Sequence, residues 1–163
     1  HMISGTAVVW TAGIQASRLP ATIHNLPVTD KGKIIIDENL RIQNYKNLFA
    51  LGDCVECIDQ KTQRPVPGLA YVAQTQGSII AQNISRTITQ KKLKTYIPKY
   101  DSWIAPIGGK FAIARIGNMM VYLGLLGWFI KVLIDLRYFF SILSFSKAVK
   151  LFLRDTILFS KND

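Results

Sequence analysis

The 163-residue chain has only two cysteines, two histidines and ten acidic residues against twenty Lys and Arg. Each scarcity excludes something. Cys54 and Cys57 form a single Cys-x-x-Cys with no second pair and few histidines nearby. A structural zinc site needs about four ligands, so a metal centre is not expected. A redox disulfide and a plainly packed thiol pair both remain open at that spacing. No Gly-x-Gly-x-x-Gly occurs: Gly108-Gly109 and Gly124-x-x-Gly127 lack both the pattern and its strand context, so no dinucleotide phosphate loop is visible. There is no secretory signal and no nucleic-acid motif. No uncharged apolar run reaches the ~20 residues a membrane-spanning helix needs. His24, alone on a polar loop, reads as a surface residue.

The charge that is present sits at one end. Up to residue 90 the basic residues nearly match the acids, whereas from Lys91 onward twelve Lys or Arg face Asp101, Asp135, Asp155 and Asp163. A basic excess suits nucleic acid or an anionic membrane surface. Here it is interleaved with Leu, Ile, Phe and Trp, and mean hydropathy is +0.20, which favours the membrane.

One stretch organises the rest. Leu48–Leu51 reads as a short buried strand feeding the turn Gly52-Asp53-Cys54. The segment 55–64 reads as a polar exposed insert. Pro65 and Pro67 hold the next approach extended, and a helix runs from about Gly68 to Thr87 with Leu69, Ala70, Val72, Ala73, Ile79, Ile80 and Ile84 at buried helical spacing. Gly52 lacks a Cβ and permits close backbone approach. Asp53 can accept hydrogen bonds from sugar-alcohol hydroxyls, and the free N–H groups at the helix start face the same cleft. Ligands of α/β folds sit at such strand ends. Gln74 and Gln76 read, on spacing alone, as ordinary helix surface.

These residues carry a resemblance. Leu48 to Asp53 together with Pro67 to Gly77 resembles the C-terminal FAD-contacting motif of two-dinucleotide-binding flavoproteins, above all the type II NADH:quinone oxidoreductases. Sulfide:quinone oxidoreductases, which use cysteines, come next. Thr6 to Gly13 is similar to the family's Thr-Ala-Gly crossover into the FAD domain and is expected to be a buried-type strand. The resemblance implies an α/β chain: the C-terminal part of a Rossmann-like FAD-binding domain, with a small β-hairpin and a helical amphipathic tail. It implies FAD as cofactor, NADH as hydride donor and quinone as acceptor, in respiratory-chain electron transfer. It implies flavin contacts from Gly13, Gly52, Asp53 (to the ribitol) and the backbone at Leu69 and Ala70. In the family an Ala-Gln-x-Ala-x-Gln-Gln-type signature lines the quinone pocket. Ala70, Ala73 and Gln76 fit it, Tyr71 stands where its first glutamine is usual, and Tyr71 and Gln76 are the quinone-side candidates. On this reading the chain is the last third of a longer enzyme and is catalytically silent alone. A non-catalytic membrane-binding or assembly module is the alternative from another class.

The expected division is 1–95 for the half FAD domain and 96–163 for a membrane-attachment region. In the second part Trp103 to Arg115 reads as a hairpin with a Gly-Gly turn. Met119 to Phe145 reads as an apolar helical stretch with Lys131 and Asp135 paired at i,i+4, and Phe145 to Phe159 as a basic amphipathic helix. Such helices lie in the bilayer interface. Packing of the two helices on the core and a true span are the other readings. The implied location is the cytoplasmic face of a membrane, held peripherally. Open sheet edges make a homodimer one expected way of covering them.

Overall fold

In the computed structural model the described residues are 7–9, 13, 16–17, 22–108 and 111–161, with the side chains of 122–123 and 157–161 left aside. The chain forms two compact units, His1–Tyr100 and Asp101–Asp163.

The first unit is built on a turn at Asp37. Its carboxylate accepts from the N–H of Asn39 (2.8 Å) and of Arg41 (2.9 Å), and its other oxygen pairs with Arg41 Nε at 3.0 Å. That knot holds Leu40 at φ +64° while its side chain is only 1% exposed. A left-handed leucine is uncommon. Burial against Ile80 and Tyr96 compensates for it. On one side of the knot β1 (Ile34–Ile35) pairs in parallel with β2 (Val55–Glu56), Ile34 opposite Val55. Ile34, Ile42 and Val55 form a small core with Leu26, Val28 and Cys57 around it. β3 (Ile58–Asp59) and β4 (Arg64–Pro65) then make an antiparallel hairpin. Asp59 organises its turn, accepting from Lys61 N–H at 2.9 Å, Thr62 Oγ1 at 3.0 Å and Tyr100 OH at 2.8 Å. The segment 55–64 is an exposed insert only in part: Ile58 and residues 60–64 are exposed. Val55 and Asp59 are buried, because an apolar strand residue and a fully hydrogen-bonded carboxylate both point inward.

Helix α1 spans Ala70–Ile88, two residues inside the expected start. Its buried stripe is Val72, Gln76, Ile80 and Asn83, at i, i+4, i+8 and i+11. Asn83 is fully buried. Its Nδ2 donates to Asn39 O (3.0 Å) and Lys94 O (2.9 Å), and its Oδ1 accepts from Lys94 N–H (2.8 Å). This binds the segment after α1 back onto it, and Tyr96 N–H continues the contact by donating to Glu38 O at 2.8 Å. Two strand expectations fail. Phe49 makes one isolated bridge to Arg41, so Leu48–Leu51 is not a strand. The paired strand follows Gly52-Asp53 instead of preceding it. Of the expected strand Thr6–Gly13, residues 7–9 have no strand pairing and Val8 and Val9 are 84% exposed. A buried-type strand needs neighbours on both sides, and among the described residues none lies beside it. Its other residues, Gly13 apart, lie outside the described set.

The second unit is a three-stranded antiparallel meander, β5 (Ser102–Gly108), β6 (Phe111–Ile116) and β7 (Met119–Leu123), followed by α3-flanked α2 (Gly124–Ile142; α3 is Phe145–Lys161). The hairpin expected over Trp103–Arg115 is present, with Gly109 and Lys110 outside the described residues. Met119 does not begin a helix. Gly117, at φ +59°, turns the chain so that Ile116 faces Met119 across a two-residue loop. The helix waits until Gly124, itself at φ +52°. Ala112 and Ala114 on β6 and Gly127 on α2 are buried, small residues that bring helix and sheet close. Lys131 and Asp135 form the expected ion pair.

Candidate functional site

The cleft of the first unit is a shallow, open one, with Lys33, Gly52, Asp53, Val55, Cys57, Val66, Pro67, Gly68, Val72 and Gln76 around it. Two elements meet there. One is the single-turn 3-10 helix Gly52–Cys54, in which Gly52 takes φ +80°. A side chain at that position would be strained by its backbone even though the space beside it is ordinary, the nearest atom being Ala73 Cβ at 3.8 Å. The other is the start of α1, where Leu69 is the N-cap and supplies no side-chain hydrogen bond to the first turn. The orphan N–H groups of that turn thus carry the positive end of a 19-residue helix with no side-chain cap.

Between these elements the sequence candidates fall unevenly. Asp53 is exposed, and among the described residues its carboxylate makes no hydrogen bond or ion pair. Leu69 and Ala70 form the helix start, as expected. Gly13 has φ +78° and open space about it. Tyr71 is 54% exposed in the first turn of α1. Gln76 is not on the helix surface: it is 1% exposed, and its Oε1 accepts from Gly52 N–H at 2.8 Å. Gln74 remains exposed. Sequence spacing alone missed the Gln76 bridge. The apolar stripe through Val72 and Ile80, extended by four residues, was the signal for it.

The cysteines are both free thiols. Cys54 Sγ donates to Leu51 O at 3.2 Å. Burial pushes the Cys57 thiol up from its ordinary value, with the Gln76 side chain pulling the other way as a hydrogen-bond partner and the Asp59 charge adding to the rise. A raised thiol is poorly suited to be a nucleophile at neutral pH, which weighs against a sulfide-oxidising use of it. Among the described residues no cluster could hold a metal ion.

A parallel pair, a glycine-aspartate turn and an unblocked helix start are the parts of a nucleotide-cofactor domain, and residues 1–77 match the family model described as pyridine nucleotide-disulphide oxidoreductase. A crystal structure of an FAD-dependent pyridine nucleotide-disulphide oxidoreductase from Desulfovibrio vulgaris superposes with TM-score 0.51 and 25% identity, over 64% of this chain and 25% of that one. The chain is also similar to type II NADH:quinone oxidoreductases. It is 28% identical over 147 residues to those of Staphylococcus aureus strains MSSA476 and COL, covering 90% of this chain and 36% of either relative. The resemblance seen in Leu48–Asp53 and Pro67–Gly77 is borne out, as is the α/β, Rossmann-like fold class. The chain spans about a third of the length of the curated relatives it matches.

Proposed function

We propose that this chain is the C-terminal portion of an FAD-dependent NADH:quinone oxidoreductase, supplying one rim of the flavin site, a quinone-side helix start and a membrane-attachment unit. The observation that carries the reading is the Asp53 carboxylate, without a protein partner among the described residues, in one cleft with the uncapped start of α1. The residues fit such a group. Asp53 offers acceptors to a polyol, Gly52 allows close approach, and the α1 N–H groups offer donors and a favourable field to a heterocycle that gains negative charge. When bound, the flavin supplies the two-electron chemistry, while the protein positions and tunes it. Tyr71 is exposed beside the helix start and is the quinone-side candidate with a free face. Gly13 is assigned to the nucleotide rim.

In the flavoprotein carrying this chain, Asp53→Ala is expected to raise the Kd for FAD about tenfold or more, as loss of charge-assisted hydrogen bonds does. Unaltered FAD affinity with a folded protein removes the reading.

The attachment unit lies on the bilayer surface, at the cytoplasmic face. On α2, Leu126, Phe129 and Leu133 are 52–63% exposed at i, i+3 and i+7, with Phe140 further along the same side, and α3 adds exposed Phe145 and Leu153. Lys147, Lys150 and Arg154 are exposed on α3. Among the described residues no helix is long and apolar enough to cross a membrane. An apolar face flanked by cations suits the interface of an anionic bilayer. Division of the chain at 95/96 into flavin and membrane parts, and pairing with a second copy, belong to the same proposal.

A further inference from the structure

Gln76 is an amide in the middle of a helix's buried stripe, one of the largest side chains below 2% exposure. An apolar residue there would satisfy the 3.6-residue pattern. Burying an amide is tolerated only when its polar ends are used, and here they are. Oε1 takes the Gly52 N–H at 2.8 Å, and the partly buried Cys57 lines the same cleft. Among the described residues no buried side-chain nitrogen or oxygen lacks a partner. The bond crosses 24 residues of sequence and joins the two elements of the cleft. Gly52, at φ +80°, is the backbone position directly before Asp53, so fixing it helps fix where Asp53 stands. Gln76 stands six residues after the first residue of α1, about 9 Å along the axis at 1.5 Å per residue. One rigid helix thus carries both the clamp on the turn and the N–H groups that face the ligand.

We propose that Gln76 is a positioning residue: its amide locks the Gly52–Asp53 elbow to α1 so that the Asp53 carboxylate and the helix N-terminus are registered on a single flavin. It does not contact quinone, the role that its place in the resembled signature had implied. The inference rests on the flavin reading above.

The test compares Gln76→Leu with Gln76→Glu in the flavoprotein that carries this chain, using FAD itself as the probe. Glutamate retains an acceptor for the Gly52 N–H, whereas leucine has the volume without it. Gln76→Leu is expected to weaken FAD binding about tenfold, a single hydrogen bond's worth, while the apoprotein's thermal midpoint stays near that of the parent. Gln76→Glu is expected to restore binding to within about threefold, less than half a decade of affinity. It should also shift the flavin midpoint potential negative, because a nearby carboxylate opposes the anionic reduced form. Equal affinity in parent and leucine variant overturns the proposal, as does equal impairment of both variants. Should the leucine variant not fold, amide hydrogen exchange on the unaltered protein decides: a protected Gly52 N–H is expected, and exchange at the rate of an open loop overturns the clamp. Failure of the unaltered flavoprotein to take up FAD sinks the flavin assignment instead, and the Gly52 measurement still reads the clamp separately.

Discussion

Asp59 is a carboxylate that the fold prefers ionised. Donation from the Lys61 backbone, then from Tyr100 OH, holds it below the ordinary carboxylate range, against a smaller opposing effect of burial. With the folded value depressed, its contribution is complete above the unfolded value near 4 and is lost as pH falls through the lower folded value. Thermal midpoints of the parent should therefore drop below about pH 4, and Asp59→Asn should flatten that part of the profile while lowering the plateau. An unchanged acid limb in the variant would place the titration elsewhere. Cys57 behaves oppositely. Its proton is retained, so maleimide should label it slowly at pH 7, with a rate that climbs as pH passes the ordinary thiol value of 9.0. Rapid labelling of Cys57 at neutral pH would reopen the redox reading of the pair.

At the scale of elements, Leu40 shows a local rule set aside by its surroundings. Its φ of +64° is unfavourable, yet the Asp37 turn and the pocket of Ile80 and Tyr96 impose it. Leu40→Ala keeps the backbone demand and deletes the packing, and urea unfolding should show a loss of about 2–4 kcal/mol. Asp37→Ala should act in the same direction by releasing the turn. What could be read beforehand follows the same logic. Helix α1, the hairpin over Trp103–Arg115, the Lys131–Asp135 pair and the α3 amphipathicity are each written in short-range spacing, and each is present. Gly52 and Asp53 on their own marked only a turn, as glycine and aspartate commonly do, and their expected role came from the resemblance of Leu48–Asp53. The failures depend on distant partners. Leu48–Leu51 has strand composition, but its pairing stops at the Phe49–Arg41 bridge and the flanking backbone bonds to Leu40 and Ile42, and β2 forms because Val55 finds Ile34, twenty-one residues away. Met119–Leu123 has the apolarity of a helix, and only Gly117-Asn118, a two-residue turn before it, marked it as the third strand. The job of Gln76 was invisible because its partner is a backbone N–H far along the chain.

For the whole molecule, the proposal divides the chemistry between the two units: a cofactor rim in the first, an apolar and basic membrane-facing surface in the second. Vesicle co-sedimentation is the corresponding measurement. The parent is expected to bind vesicles containing anionic lipid more than neutral ones, to lose part of that binding at high salt where screening shortens the ~8 Å reach of surface charge, and to keep the rest. Phe129→Ala with Leu133→Ala should remove the salt-resistant part. Full retention by that double variant would move the attachment away from α2.

The four lysines between residues 91 and 99 look, on paper, like an open invitation to trypsin. Asn83, the Glu38 carbonyl and Asp59 hold that run at Lys94, Tyr96 and Tyr100. It is a strap drawn tight across α1 more than a slack tether. Cleavage after Lys94 should lag far behind cleavage after Lys91 or Lys92 until Asn83→Ala lets the strap out.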